Sequence, residues 1–326
     1  GVVQLVNELA PNIPIHLSTQ ANVMNYLDAK VYYDMGVRRI IAAREISLKD
    51  VKEIKEKLPD LEIEIFVHGS MCFAYSGRCL ISAVQMGRVP NRGSCANDCR
   101  FEYTLYAANE DHSTLFRLEE DPGVGTYIFN AKDMNLASHV KEIVDSGAVD
   151  SIKIEGRTKS PYYAAVTAYA YKMALEDCYA DKFEAQKYQD ELNTTKNRGF
   201  TDAYLVHKPF EKEGAQNLEY ALSAGSYEVS GLVLEDEEYF MCKYKTYPDD
   251  EVEIFAPLNS KIEECDNEIG SIYKKDDGRY YVKFKKIITK SEKELESVHS
   301  GNTNPIRLPG KLPYMTMLRV KTKIEE

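Results

Sequence analysis

Short apolar runs of β character alternate with amphipathic stretches over the first two-thirds of the chain, and this alternation predicts strand–helix–strand units. A helical period over Val2–Ala10 leads into a strand over Ile13–Gln20, and a helix over Asn25–Met35 stops at Gly36, a residue suited to a left-handed cap. Strand Arg38–Ala43, helix Leu48–Lys57 and strand Leu61–Val67 come next. A polar, hairpin-like stretch spans Glu102–Arg117. It precedes strand Gly125–Asn130, helix Ala137–Ser146 with Gly147 behind it, strand Ser151–Ile154 and a long helix over Pro161–Tyr179. Strands joined through helices by short loops form right-handed βαβ units, so a parallel sheet is expected. Five such strands precede the long helix, whereas a closed barrel of this type has about eight. Either the sheet is open or about three βα units are missing at its start; the second is favoured, so the expected fold is α/β, a TIM-like β/α barrel lacking those first units.

From Tyr227 the helical period disappears. EVSGLVLE, EYFMCKYK, DEVEIFAP, IGSIYKKD, GRYYVKFKKI and LPYMTMLRVKT read as antiparallel strands, punctuated by turn residues such as Asp276-Asp277-Gly278. A small all-β barrel or sandwich fits that spacing. The charged stretch Ala180–Asn217 reads as a helical connector, and the domains divide as 1–225, the barrel part, and 226–326, the β domain.

Composition narrows the function classes. A chain of 326 residues with 44% hydrophobic and 29% charged residues can bury a large core. Its mean hydropathy of −0.43, with no long apolar run, gives no sign of a membrane span. No basic-then-apolar leader is present, and seven cysteines are an odd number, so a reducing cytoplasmic setting with free thiols is expected. A net charge of −11 argues against a protein that coats nucleic acid wholesale. The run from His68 to Arg100 reverses that balance locally, with four arginines (Arg78, Arg88, Arg92, Arg100) against one acid, Asp98. Such an electropositive island suits an anionic substrate.

That island also carries four cysteines, Cys72, Cys79, Cys95 and Cys99, separated by six, fifteen and three residues. Four thiolates are accepted both by zinc and by iron–sulfur clusters. Structural zinc favours paired CxxC knuckles, which this chain lacks, so the looser, glycine-rich spacing points to a cuboidal cluster, with zinc as the alternative. The third option is that these cysteines are small buried residues holding no metal. Cys178, Cys242 and Cys265 read as core residues. Polar groups collect at the expected strand ends, where β/α folds bind ligands. They are His16, Ser18 and Gln20; Arg44 and Glu45; Glu64 and His68; Asn130, Lys132 and Asp133; and Lys153, Glu155 and Arg157. Arginine and lysine there can grip carboxylate or phosphate. Arg44 with Glu45, or Glu155 with Arg157, can equally be ion pairs sealing the rim. Ser160 and Pro161 start a helix whose N-terminus, beside Arg157 and Lys159, is an anion site in outline. The chain lacks HExxH, GxSxG, P-loop and GxGxxG motifs.

The segment EIEIFVHGSMCFAYSGRCLIS (62–82) resembles the signature of the collagenase-like peptidases of unassigned catalytic type. With IPIHLSTQAN, AREISL, NRGSCANDCR, GTYIFNAKDM, SIKIEGRTKSPYY and NRGFTDAYL, it is most similar to the prephenate-dependent tRNA uridine hydroxylases of that family. The resemblance implies a TIM-like barrel in which Cys72, Cys79, Cys95 and Cys99 hold a [4Fe–4S] cluster. It also implies that a wobble uridine of tRNA becomes 5-hydroxyuridine, with prephenate or a similar small carboxylate required. On that basis His68 and Glu155 are candidates for proton transfer. Gln20, Arg44, Lys132, Lys153 and Arg157 are candidates for substrate binding. Members of the family carry further βα units before the first one found here. The family name keeps proteolysis as the alternative function, and a non-catalytic iron–sulfur accessory protein is a second.

Overall fold

The computed structural model describes residues 1–108, 115–118, 130–206, 216–217 and 225–322. They fall into two compact units: Gly1–Lys159, Ala170–Asp190 and Asn197–Ser223 form the first, and Ser160–Tyr169, Glu191–Lys196 and Ala224–Glu326 the second.

In the first unit the predicted alternation is realised as α1 (Val2–Leu9), β1 (Ile15–Leu17), α2 (Tyr26–Asp34), β2 (Val37–Ile41), α3 (Leu48–Lys57) and β3 (Glu62–Ser70). Local chemistry sets these boundaries. The Asn25 side chain accepts from the amide of Asp28 and the Ser47 hydroxyl from that of Asp50, so each begins its helix as an N-cap. Leu48, Val51 and Ile54 recur at helical spacing and are buried, which turns one stripe of α3 to the core. The rest of the strand predicted over Ile13–Gln20 is shorter than expected, because Thr19–Ala21 closes as a 3-10 turn capped by Ser18.

β1, β2 and β3 pair in parallel, and β3 also pairs in parallel with β7 (Ser151–Ile154). β3 reads EIEIFVHGS, with Ile63, Ile65, Phe66, Val67 and His68 all buried, the near-continuous burial of a central strand covered on both faces. After β3 the chain forms α4 (Ile81–Met86) and a hairpin of β4 (Leu105–Ala108) and β5 (Leu115–Leu118), the latter at the predicted hairpin-like stretch. The strand predicted over Gly125–Asn130 lies outside the described residues except for Asn130. A strand not anticipated, β6 (Asp133–Asn135), runs antiparallel to the end of β3 and parallel to β8 (Phe200–Thr201), so the six-stranded sheet is mixed and not wholly parallel. Between Ala137 and Asp145 a 3-10 turn passes into α5 (Val140–Asp145), and β7 is followed by α6 (Pro161–Tyr179) and α7 (Ala185–Leu192).

The second unit contains β9 (Tyr227–Val233), β10 (Tyr239–Cys242), β11 (Glu251–Phe255), β12 (Cys265–Asp266), β13 (Gly270–Lys274) and β14 (Tyr280–Phe284). A two-stranded ladder of β15 (Ile287–Ile288) and β16 (Glu294–Leu295) precedes β17 (Ile306–Arg307) and β18 (Met317–Lys321). Eight of these form an antiparallel sheet ordered β12-β13-β14-β11-β18-β9-β10-β17. The predicted Asp277-Gly278 turn joins β13 to β14, with Asp277 Oδ1 accepting from the amide of Arg279. Val233, Phe240, Val252, Ile272, Val282 and Phe284 are among the buried residues of its core.

Arg319 on β18 is 1% exposed and is bound by Glu253, its neighbour on β11, by Glu191 and by the Tyr162 hydroxyl. Arg279 donates to Glu253 at 2.6 Å and lies 3.2 Å from Glu191, so two arginines balance two acids. This network sits inside the second unit and replaces part of its apolar core. Among the described residues, no helix is long and apolar enough to cross a membrane.

Candidate functional site

Because β1, β2, β3 and β7 run parallel, the loops that follow them share one edge of the sheet. Gln20 follows β1, Arg44 and Glu45 follow β2, Glu155 and Arg157 follow β7, and the cysteine segment follows β3. The segment is fastened to each of the other three loops. Ser76 donates through its amide and its hydroxyl to the two oxygens of Glu45, both at 3.1 Å, and its oxygen lies 3.3 Å from the amide of Arg44. Gly77, at φ +76°, packs so closely on Gln20 that a Cβ would stand 2.6 Å from the Gln20 carbonyl oxygen. Arg157 donates from Nη2 to the carbonyl of Gly93 at 3.0 Å. Glycine is also required at the exit from β3: Gly69 has φ +128°, and a Cβ there would meet the Glu155 backbone at 2.7 Å.

All four cysteines are free; Cys72 and Cys95 are exposed, and Cys79 and Cys99 are half-buried. The Cys95 sulfur accepts from the amide of Asn97 at 3.3 Å, and the Ser82 hydroxyl stands 4.0 Å away. Ser82 belongs to α4, so the helix helps to place the third cysteine. Burial pushes the Cys99 thiol up, opposed by the charges of Arg100 and Arg198, while Cys95 and Cys79 add to the rise. Close surroundings push Cys72 up in the same way although the residue keeps an exposed surface; Arg44 opposes, and Glu155, Cys99 and Cys79 reinforce. Cys99 thus lies within electrostatic reach of the other three sulfurs and of Arg100 and Arg198, and Cys72 within reach of Cys79 and Arg44. Among the described residues, no three His, Cys, Asp or Glu side chains converge closely enough to hold a single metal ion.

The candidate catalytic and binding residues are placed unequally. Glu155 forms an ion pair with Arg44, whose guanidinium lies 4.1 Å from the centre of the Phe66 ring. Lys153 lies 3.4 Å from Glu64 and 5.3 Å from the same ring, so it is engaged on β7. Arg157 braces the cysteine segment through Gly93, and Lys132 is half-buried just before β6. His68 is 1% exposed, with its Nδ1 3.4 Å from the Tyr171 hydroxyl and its ring against Tyr171 and Phe200. Burial lowers its pKa to about 4, with Asp133 opposing and Lys159 assisting, so the imidazole is neutral at neutral pH.

Two further residues stand beside this site: Arg198, which carries no role in the sequence pattern, and Arg100, known from it only as part of the electropositive island. Arg198 is 1% exposed and donates from its amide and its Nε to Asp133, each at 3.2 Å, and from Nη2 to the same carboxylate. Its Nη1 is sealed from solvent without an acceptor among the described residues, as is Nε of Arg100. Asp98, also buried, has no partner among the described residues on either carboxylate oxygen. Burial lowers the pKa of Arg100 and of Lys159, and Arg198 pushes both down further. The signal that could have exposed Arg100 was its place next to Cys99; Arg198 had only its position before Gly199-Phe200, at the entry to β8.

The chain is 54% identical over 324 residues to a Helicobacter pylori protein named tRNA hydroxylation protein P, a match covering 99% of this chain and 76% of that one. The Escherichia coli protein of the same name is 36% identical over 315 residues, covering 83% of this chain and 69% of its own length. The model of peptidase family U32 matches residues 1–215, which take in the cysteine segment and every strand-end loop that fastens it. The chain belongs to peptidase family U32.

Proposed function

We propose that this protein is an RNA-modifying enzyme of the cytoplasm that converts the wobble uridine of tRNA to 5-hydroxyuridine, using an iron–sulfur cluster and prephenate or a similar small carboxylate. The names of the relatives support the hydroxylation of tRNA. The observation that carries the reading is the character of the cysteine segment. Its one acid, Asp98, is buried, while Arg78, Arg88 and Arg92 are exposed together with Phe73, Tyr75 and Phe101. Cations for phosphates and aromatic faces for unpaired bases are what a single-stranded RNA loop requires. On a chain of net charge −11 this local reversal steers RNA to one place.

The donor set fits a [4Fe–4S] cluster better than zinc. Cys99 acts electrostatically on Cys72, Cys79 and Cys95, while among the described residues no three of these side chains meet at a point, and a cuboidal cluster would span that separation with its own iron and sulfide. Thiols that burial raises bind metal with loss of their protons, and Arg44, Arg100 and Arg198 favour the anionic product. Bound there, a cluster supplies one-electron and Lewis-acid chemistry. The chain's own residues do the rest. Glu155, its side chain 42% exposed, takes up the proton leaving the uracil ring, and Arg44 orients it. Lys153, Lys132 and Gln20 line the approach for the anionic substrates, and Arg157 keeps the cysteine segment in place. His68, neutral and linked to Tyr171, holds or passes a proton behind the site. In this reading the first unit is part of a TIM-like β/α barrel, residues 226–326 are the β domain, and that domain helps to dock the tRNA.

Mass analysis of tRNA nucleosides tests the proposal. Cells lacking the protein are expected to lose 5-hydroxyuridine and its derivatives, and a Cys95→Ala copy to fail to restore them. Full restoration by Cys95→Ala would support a structural cluster in an accessory protein, and digestion of gelatin by pure protein would support a peptidase.

A further inference from the structure

The cations expected to grip a carboxylate are already committed: Arg44 to Glu155, Lys153 to Glu64 and Arg157 to the Gly93 carbonyl. Arg198 and Arg100, by contrast, each keep one buried donor without a partner among the described residues. Asp133 occupies only Nε, Nη2 and the amide of Arg198, leaving Nη1 buried and unmatched. Nε of Arg100 is in the same condition. A charged donor withheld from both water and protein costs free energy, so a site that keeps two of them is built for an anion that arrives later. The two guanidiniums lie within electrostatic reach of each other, of Lys159 and of Cys99. Among the described residues, the acids that act on Arg100 and Lys159 are Asp133, held by Arg198, and, on Lys159, Glu155, held by Arg44.

We propose that Nη1 of Arg198 and Nε of Arg100 form the seat of a small carboxylate, next to the thiols of Cys72 and Cys99. This deepens the reading above, and rests on it, by naming the residues that hold the carboxylate co-substrate. Asp133 is then a positioning residue, which fixes the plane of Arg198 and leaves one edge of the fork for the ligand. The position beside the cysteines brings the carboxylate's own reacting carbons toward the metal centre, whereas a seat at Arg44 would place it at Glu155.

The test is equilibrium binding of prephenate, without RNA, to anaerobically purified protein, with iron content and visible spectrum recorded on each sample. Arg100→Gln, which breaks no ion pair among the described residues, is expected to weaken binding about ten- to a hundred-fold, the loss of one charged hydrogen bond, with iron retained. Arg198→Lys keeps the charge and removes the fork, and is expected to lose a similar factor. Unchanged affinity in both variants overturns the seat. So does loss of iron with affinity retained, which would assign the two arginines to the metal centre. The two readings fail separately. If tRNA is hydroxylated while both variants bind prephenate like wild type, the seat falls alone. If the variants lose affinity but cells show no tRNA hydroxylation that depends on the protein, the seat stands and the tRNA reading falls.

Discussion

Replacing Asp133 by leucine removes the acid that balances a fully buried arginine. Arg198 is 1% exposed and Asp133 3%, and the pair is joined through the Arg198 amide, Nε and Nη2. Breaking one side of such a pair leaves an uncompensated charge away from water, at a cost of about 3–5 kcal/mol. Losing the bond to the Arg198 amide also loosens the entry to β8, which pairs with β6 at Asp133 and Phe200. Asp133→Leu combined with Arg198→Met removes both charges, and filling the space with apolar atoms is expected to restore all but about 1 kcal/mol. Urea unfolding, followed by a probe in the first unit, measures the single and double variants in one cycle. The double variant is then informative in a second way: stable again, it lacks the Arg198 fork and is expected to stay weak in prephenate binding. A cost below about 1 kcal/mol for Asp133→Leu would mean that the pair is solvated, and the inference about Nη1 would lose its basis.

Three further outcomes follow from particular contacts. The folded pKa of His68, about 4, lies below the value of about 6.5 expected in the unfolded chain, so the unfolded state binds the extra proton first. Stability from this residue is complete above about pH 6.5 and is lost as pH falls toward 4, amounting to about 3 kcal/mol. A His68→Gln variant, unfolded by urea at several pH values, is expected to lack that slope, and an unchanged slope would refute it. Gly77→Ala forces a Cβ against the Gln20 carbonyl at 2.6 Å and a side chain onto φ +76°, at about 1–3 kcal/mol of strain. Faster proteolysis at Arg78 and lower iron retention are expected; equal rates would show that the loop is not fastened there. In the second unit, Arg319→Met leaves Glu191 and Glu253 buried with only Arg279 between them. A loss of about 3–5 kcal/mol in thermal unfolding is expected, and less than about 1 kcal/mol would refute the role given to the network.

Much of the first unit was legible because its signals are local. Ser47 and Asn25 cap helices from within three residues, and the stripe Leu48–Val51–Ile54 repeats at a helical period. The run from Ile63 to Val67 could hardly be anything but a buried strand. β6 escaped because Asp-Met-Asn has no strand pattern; its place is fixed by pairing with β3 and β8, distant in sequence. α4 escaped because it is one short turn-and-a-half inside a segment rich in glycine and arginine. The strand-end residues were found in the right loops, yet their partners were not. That Arg157 would hold Gly93, across 64 residues, and Arg198 would hold Asp133, across 65, depends on how the strands align. The four cysteines were the most legible feature of all, since thiols repeated so closely have few structural explanations.

The most direct test is chemical analysis of the protein purified under nitrogen. Iron and acid-labile sulfide are expected at about four each per chain, with a broad visible absorption that Cys72→Ala, Cys79→Ala, Cys95→Ala and Cys99→Ala each abolish. One zinc per chain, or wild-type iron in those variants, would contradict the account.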